Sequence, residues 1–146
     1  MLQLVLLGVV AILGALALPA AGGLVPTRWP VLAGGLLLMG LGGIFVGRGV
    51  SALRTSLSAF PRPMPTATLV TTGIYARIRH PIYSGLVSLS TGWALTTLSL
   101  SAFVAALALG VVLDLKSRRE EEWLAERFPE YSAYRTRSAR FLPGLY

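Results

Sequence analysis

The chain has 146 residues, of which 54% are hydrophobic and only 13% charged, with a formal net charge of +7 and no cysteine. That length holds one domain at most, and a soluble domain usually carries about 25% charged residues, so a membrane protein is expected. Disulfides and thiolate metal sites are excluded, and the single histidine, His80, excludes a multi-histidine metal site; no metal is expected. The basic residues lie beside apolar runs, which suits a cytoplasmic face and anionic headgroups rather than nucleic acid.

In chain order, the first apolar run predicts a helix over about Leu2–Leu18, ended by Pro19 and Gly22-Gly23. It lacks the basic n-region of a signal peptide and its apolar part is longer, so a retained helix is expected. Pro26–Pro30 forms a short loop, with Trp29 suited to the headgroup level. A second helix is expected over about Val31–Gly47, ended at Arg48, with Gly43 and Gly47 as a small-xxx-small pair that lets another helix approach. Each of these spans is about 26 Å long, the short end of what crosses a bilayer core.

Beyond Arg48, Val50, Leu53, Leu57 and Phe60 recur at helical spacing among serines and Arg54, the pattern of an amphipathic segment in the interface. Pro61, Pro63 and Pro65 then forbid a regular helix, which leaves a loop or lid. The apolar run Ile82–Leu115 would measure about 51 Å as one helix, well beyond a bilayer core. Thr96, Thr97, Ser99 and Ser101 near its middle suggest a tight hairpin of two short crossings, although no Gly or Pro marks the turn. From Lys116 the chain is polar and amphipathic.

Arg48, Arg54, Arg62, Arg77 and Arg79 fall between the second and third helices, and nearly all other basic residues follow Lys116. The positive-inside rule then puts the middle loop and the tail on the cytoplasmic side, which about four crossings satisfy. The expected fold is an all-α, multi-pass integral membrane protein whose last two helices form a hairpin, with a cytoplasmic C-terminal helical tail. It is read as one domain over 1–146: two N-terminal helices in 1–48, a cytoplasmic loop in 49–81, the hairpin in 82–115 and the tail in 116–146.

Polar residues close to membrane spans are costly and therefore informative. Two groups stand out, Gly73–Gly85 before the hairpin and Lys116–Leu124 after it. A helical hairpin brings its two ends together, so carboxylates, guanidinium groups, tyrosines and an imidazole should meet at one interfacial place. A cationic, amphipathic cofactor would find counter-charge in the glutamates and ring faces in the tyrosines there. Plainer readings are that Arg79-His80-Pro81 caps a span and binds headgroups, Tyr83 is an interfacial aromatic, and the Arg-Glu run is a solvated helix face. The glycines from Gly40 to Gly49 lie within an apolar span and carry no Lys-Ser/Thr ending, so they are helix packing, not a phosphate loop.

The run Leu69-Val-Thr-Thr-Gly73-Ile-Tyr75-Ala-Arg-Ile-Arg79-His80-Pro81-Ile-Tyr83-Ser-Gly85 resembles the signature of isoprenylcysteine carboxyl methyltransferases and related phospholipid methyltransferases. A second block of that family is matched by Glu120-Glu121-Glu122-Trp123-Leu124, followed by Phe128, Tyr131, Tyr134, Arg137, Arg140 and Pro143. The two blocks cover the C-terminal half. The resemblance implies S-adenosylmethionine as cofactor, held at the cytoplasmic membrane surface without a Rossmann sheet. It puts Arg79, His80, Pro81 and Tyr83 around the cofactor, with Glu120 and Glu121 reaching it from the other side and Tyr75 closing it. Catalytic parts are expected for Glu121 and for Arg48, which falls near a family arginine and could hold a carboxylate or phosphate. Pro129 stands where the family usually has glycine, and the two extra N-terminal helices of larger members are missing.

The expected activity is methyl transfer to a hydrophobic or lipid-like acceptor, in the manner of a carboxyl O-methyltransferase. An ionised carboxylate needs no general base, whereas an amine or hydroxyl would call on Glu121 or His80. The alternatives are a non-enzymatic scaffold that binds anionic lipid, and a membrane reductase using a nicotinamide cofactor. The acceptor and the oligomeric state are left open.

Overall fold

A computed structural model describes residues 1–18, 28–53 and 68–142. Among them the chain is helical: α1 (Leu2–Ala17), α2 (Trp29–Leu53), a 3-10 turn (Gly73–Ala76), α3 (Pro81–Thr96), α4 (Leu100–Arg127) and α5 (Tyr131–Thr136). No sheet is formed in this part; the one β-type contact is an isolated parallel bridge between Ile78 and Ala139. Two helices, α2 and α4, are long and apolar enough to cross a membrane, and α1 is a shorter apolar helix. The expected breaks at Pro19 and Gly22-Gly23, the Pro26-Thr27 part of the first loop, the later part of the amphipathic segment (Arg54, Leu57, Phe60) and the prolines Pro61, Pro63, Pro65 and Pro143 lie outside the described residues.

Helix α2 differs from expectation at both ends. It begins at Trp29-Pro30, since proline suits a first helical turn whose N–H has no intrahelical partner. It also runs through Arg48 to Leu53, because a single arginine does not break a helix and no glycine–proline stop stands there. Helix α4 is likewise not a short crossing. Its 28 residues carry it past Leu115 and through the polar group to Arg127, about 42 Å in all, so its charged C-terminal third extends beyond an apolar core of about 30 Å.

The structure divides into two compact units, Met1–Ile44 with Gly85–Leu113 and Phe45–Ser84 with Asp114–Tyr146. The first holds apolar helix packing. Val10, Ala105 and Ala106 form its buried centre, with Leu13 and Trp93 against them. Trp93 Nε1 donates to the Ala11 carbonyl at 3.4 Å and Ser99 Oγ to the Leu13 carbonyl at 3.2 Å, which ties α1 down.

Helix α2 meets α3 through Gly35 and Gly42. A Cβ at Gly35 would lie 2.8 Å from the Gly92 carbonyl oxygen, and one at Gly42 would lie 2.7 Å from that of Gly85. Gly43 and Gly47, the pair expected at a helix contact, have no such neighbour within 4 Å and are exposed. The close approach uses the seven-residue spacing of Gly35 and Gly42, one position away on the helix and hence about 100° around it.

The turn between α3 and α4 falls at Thr97–Ser99. Leu98 has φ 52°, its N–H donates to Leu95 and that of Ser99 to Ala94, the double bond of a Schellman motif with leucine in the left-handed position usually given to glycine. Ser99 then caps α4, its Oγ accepting from the Ala102 N–H at 3.2 Å. The stop signal is therefore the N-capping serine rather than a glycine.

Among the described residues, the second unit holds all six acidic residues and every basic residue except Arg28. Its helical segments are the end of α2, the start of α3, the polar extension of α4, and α5. Gly49 packs on the start of α3, where a Cβ would meet Ile82 Cγ1 at 2.6 Å.

Candidate active site

The site is built on Glu121. The polar extension of α4 turns one face inward, with Ser117 and Glu121 buried and Asp114 half-buried. Glu121 is 4% exposed, a state a carboxylate reaches only when paired. Its Oε1 accepts from Arg79 Nε at 2.9 Å and Arg140 Nε at 3.2 Å, with His80 Nε2 at 3.2 Å. Its Oε2 accepts from Arg140 Nη2 at 3.2 Å and lies 3.7 Å from Arg135 Nε. Burial alone would raise the acid's pKa, but hydrogen bonds from His80, Arg79 and Arg140 outweigh it and bring the pKa to about 2.

Glu120, the next residue, faces a different set. Tyr83 Oη donates to its Oε1 at 2.6 Å, Lys116 Nζ lies 3.7 Å from the same oxygen, and His80 Nδ1 lies 3.7 Å from Oε2. Burial raises its pKa; the Tyr83 hydrogen bond and the His80 and Lys116 charges offset only part of that. Adjacent residues on a helix point about 100° apart, so one turn of α4 offers one saturated carboxylate and one poised carboxyl.

The loop before α3 delivers the other half. Gly73 opens its 3-10 turn at φ +62°, a conformation glycine adopts without steric cost. Tyr75 is buried, and its carbonyl accepts from Tyr134 Oη at 2.6 Å. Arg79 and His80 follow, and Pro81 starts α3. The His80 ring stacks on Tyr83, with centroids 5.3 Å apart and planes 8° apart, and Phe141 lies at 6.0 Å. Lys116 sits over the Tyr83 ring at 5.1 Å.

The C-terminal segment closes around the loop. Arg79 N–H donates to Ala139 O, His80 N–H to Arg140 O, and Ala139 N–H to Arg77 O. Ser84 Oγ adds a bond to Phe141 O at 2.9 Å. Arg79 Nη1 donates to the carbonyls of Arg135 and Ser138.

Of the residues expected in the site, Arg79, His80, Tyr83, Glu120 and Glu121 come together directly. Tyr75 and Pro81 flank them, in the turn that receives Tyr134 and at the first position of α3. Arg48 is exposed, and among the described residues no ion pair joins it to this cluster. Glu122 is exposed and, among the described residues, pairs only with Arg119, at 3.4 Å. Tyr131, 1% exposed, has a hydroxyl with no hydrogen-bond partner among the described residues. That leaves an orphaned polar atom close enough to Glu121, Arg79 and Arg135 to be affected by their charges.

Sequence reasoning assigns no role to Asp114, Arg135 or Arg140, although Arg140 belongs to the second family block. Asp114 carried the one usable signal, an acid between Leu113 and Leu115 in an otherwise apolar run; it pairs with Arg118 at 2.8 Å and Arg140 at 3.4 Å. The arginines are indistinguishable from solvated charge in the sequence. Among the described residues, no group of three or more His, Cys, Asp or Glu side chains is arranged to hold a metal ion.

Two curated bacterial proteins match part of the chain. The cobalt-zinc-cadmium resistance protein CzcN of Cupriavidus metallidurans is 39% identical over 80 residues, covering 53% of this chain and 37% of that protein. The nickel-cobalt-cadmium resistance protein NccN of Alcaligenes xylosoxydans xylosoxydans is 37% identical over 81 residues, with the same coverage. The chain thus spans little more than a third of the length of these relatives. The family model described as phospholipid methyltransferase matches residues 30–131, a stretch that includes the Arg79-His80-Pro81 loop, Tyr83, Glu120 and Glu121. With a membrane-suited helical fold and that motif gathered around two adjacent glutamates, the chain belongs to the phospholipid methyltransferase family, a family of membrane methyltransferases.

Proposed function

We propose that the protein is an S-adenosylmethionine-dependent methyltransferase acting on a hydrophobic or lipid-like acceptor at the cytoplasmic face of the membrane. Four crossings, formed by α1 to α4, would put the middle loop and the C-terminal segment on that face together. The observation that carries the reading is the convergence of the Arg79-His80-Pro81 loop on Glu120 and Glu121 within the family match.

The donor set fits this cofactor. Glu120 can accept from an amino group, Tyr83 and Tyr75 can present their rings to a sulfonium, and the Tyr131 hydroxyl, unpartnered among the described residues, can donate to a carboxylate or ribose oxygen. When bound, S-adenosylmethionine would supply an electrophilic methyl group for in-line displacement. The residues of the chain would bind it, align it with the acceptor and keep water out.

Glu121, ionised and saturated with hydrogen bonds, suits a fixed counter-charge better than a proton carrier. An amine or hydroxyl acceptor would instead lose its proton to Glu120, whose raised pKa brings it nearer to working pH. For a carboxylate acceptor, as in the isoprenylcysteine carboxyl methyltransferases that the motif resembles, no base is needed and Arg48 would orient the anion. Arg48 stays in this proposal as an acceptor-side group because its side chain is uncommitted among the described residues.

Calorimetric titration of the purified protein in detergent with S-adenosylhomocysteine tests the cofactor assignment. Micromolar binding that is lost in His80→Ala is expected. A folded protein that takes up none at any concentration would refute it.

A further inference from the structure

We propose that Arg140 is a positioning residue: it clamps the C-terminal segment onto Glu121 and Asp114, and so sets the orientation of the His80 ring. Its consequence for catalysis rests on the methyltransferase reading; the geometry itself does not.

Arg140 is 8% exposed and spends its guanidinium on two acids of one helix face. Nε and Nη2 reach the two oxygens of Glu121, both at 3.2 Å, and Nη1 reaches Asp114 Oδ1 at 3.4 Å. Asp114 and Glu121 are seven residues apart, two helical turns, so a planar fork lying along the helix can touch both.

The backbone around Arg140 organises the motif. The carbonyls of Ala139 and Arg140 accept the N–H groups of Arg79 and His80 at 2.9 and 3.1 Å, N–H groups that lie just before α3 and have no helical acceptor of their own. Phe141 then lies beside the His80 ring at a tilt of 46°, and Tyr83 stacks on that ring from within α3. His80 is thereby held with Nε2 toward Glu121 and Nδ1 toward Glu120. A shift of the C-terminal segment would turn the imidazole and remove the His80 Nε2 contact from Glu121 Oε1.

Glu121 keeps Arg79 and His80 when Arg140 is replaced, so the fold is expected to survive. Arg140→Lys retains the charge but cannot bridge both Glu121 oxygens and Asp114 together. Arg140→Gln removes the charge. The control is Glu122→Gln, a charge change on the exposed face of the same helix.

The 146-residue chain is labelled with carbon-13 at one position of its histidine ring. One histidine in the chain means that one resonance reports His80 without further assignment. Arg140→Gln and Arg140→Lys are both expected to move that resonance, and to weaken S-adenosylhomocysteine binding about tenfold or more, the scale of one hydrogen-bonded charge contact. Glu122→Gln should move neither. An unmoved resonance in Arg140→Lys overturns the proposal, and so does undiminished affinity in both variants when the wild type binds S-adenosylhomocysteine. Because the resonance is read without ligand, a wild-type protein that binds no S-adenosylhomocysteine but whose signal moves in both variants refutes the methyltransferase reading and leaves the clamp standing.

Discussion

Glu120 and Glu121 are consecutive residues of one helix held in opposite chemical conditions. Glu121 is locked ionised between Arg79, His80 and Arg140, while Glu120 shares a 2.6 Å hydrogen bond with Tyr83 and has a raised pKa. One residue step along the helix, about 100° of rotation, thus separates a fully paired anion from a carboxyl of raised pKa. Helical geometry makes this possible, because neighbouring residues face different elements.

Replacing Glu121 should be far more damaging than replacing either neighbour. Glu121→Ala leaves the buried guanidinium of Arg140 and the largely buried Arg79 without their main counter-charge, a loss of about 3–5 kcal/mol for a broken buried pair. Glu122→Ala touches only an exposed pair and should stay within about 0.5 kcal/mol. Thermal unfolding in detergent separates the two, and equal melting temperatures would contradict the hub.

Acid should loosen the C-terminal segment. The Glu121 carboxyl lies at about 2 in the folded protein against an ordinary 4.5. Its stabilising contribution is therefore complete above about pH 4.5 and is lost as the pH falls toward 2. Glu120 acts in the opposite sense: its raised pKa favours the folded state below the ordinary value, a contribution that fades as the pH rises through the shifted one. Hydrogen exchange at the Ala139 amide, which donates to Arg77, should show protection at pH 5 that is lost by pH 2, after correction for intrinsic rates.

Tyr83→Phe should separate binding from turnover. The ring stack on His80 survives this change and the 2.6 Å bond to Glu120 does not. Methyl transfer should fall about 10- to 100-fold, the scale of one hydrogen bond to a charged group, with the affinity for S-adenosylhomocysteine little changed. Steady-state rates alongside calorimetry check this.

The glycines of α2 should divide by face. Gly42→Ala drives a methyl group to 2.7 Å from a backbone oxygen and should destabilise by about 1–3 kcal/mol. Gly43→Ala meets open space and should be neutral or slightly stabilising. Unfolding by denaturant in detergent or bicelles measures both.

Leu98→Gly should stabilise the α3–α4 turn. Leucine at φ 52° carries a steric penalty of about 1–2 kcal/mol, part of which glycine returns as backbone entropy. A raised melting temperature is expected; a lowered one would show that the Leu98 side chain is needed for packing.

What was legible in the sequence follows from what leaves a local trace. Apolar runs gave the helices, and the Ser-Thr cluster gave the turn, because capping chemistry is written in the capping residue. The hairpin geometry implied that the polar groups at its two ends meet, and the family resemblance, not spacing, singled out Arg79, His80, Tyr83, Glu120 and Glu121 among them. The ends of α2 and α4 were misplaced because a charged residue ends an apolar pattern without ending a helix. The Gly43–Gly47 spacing pointed to a helix contact that Gly35 and Gly42 make instead, because composition does not reveal which face another helix covers. Arg140 and Arg135 were given no role, since a tail arginine looks the same whether it is solvated or clamped on a buried acid.

The most direct test of the whole account is methyl transfer itself. Full-length protein in liposomes made from a membrane lipid extract is incubated with S-adenosylmethionine carrying a labelled methyl group, and the lipid-soluble fraction is analysed. Label should appear in a hydrophobic product with the wild-type protein and be absent with His80→Ala. Folded wild-type protein that binds the cofactor analogue but leaves every hydrophobic fraction unlabelled would contradict the assignment of the acceptor. Neither binding nor transfer would contradict the methyltransferase itself.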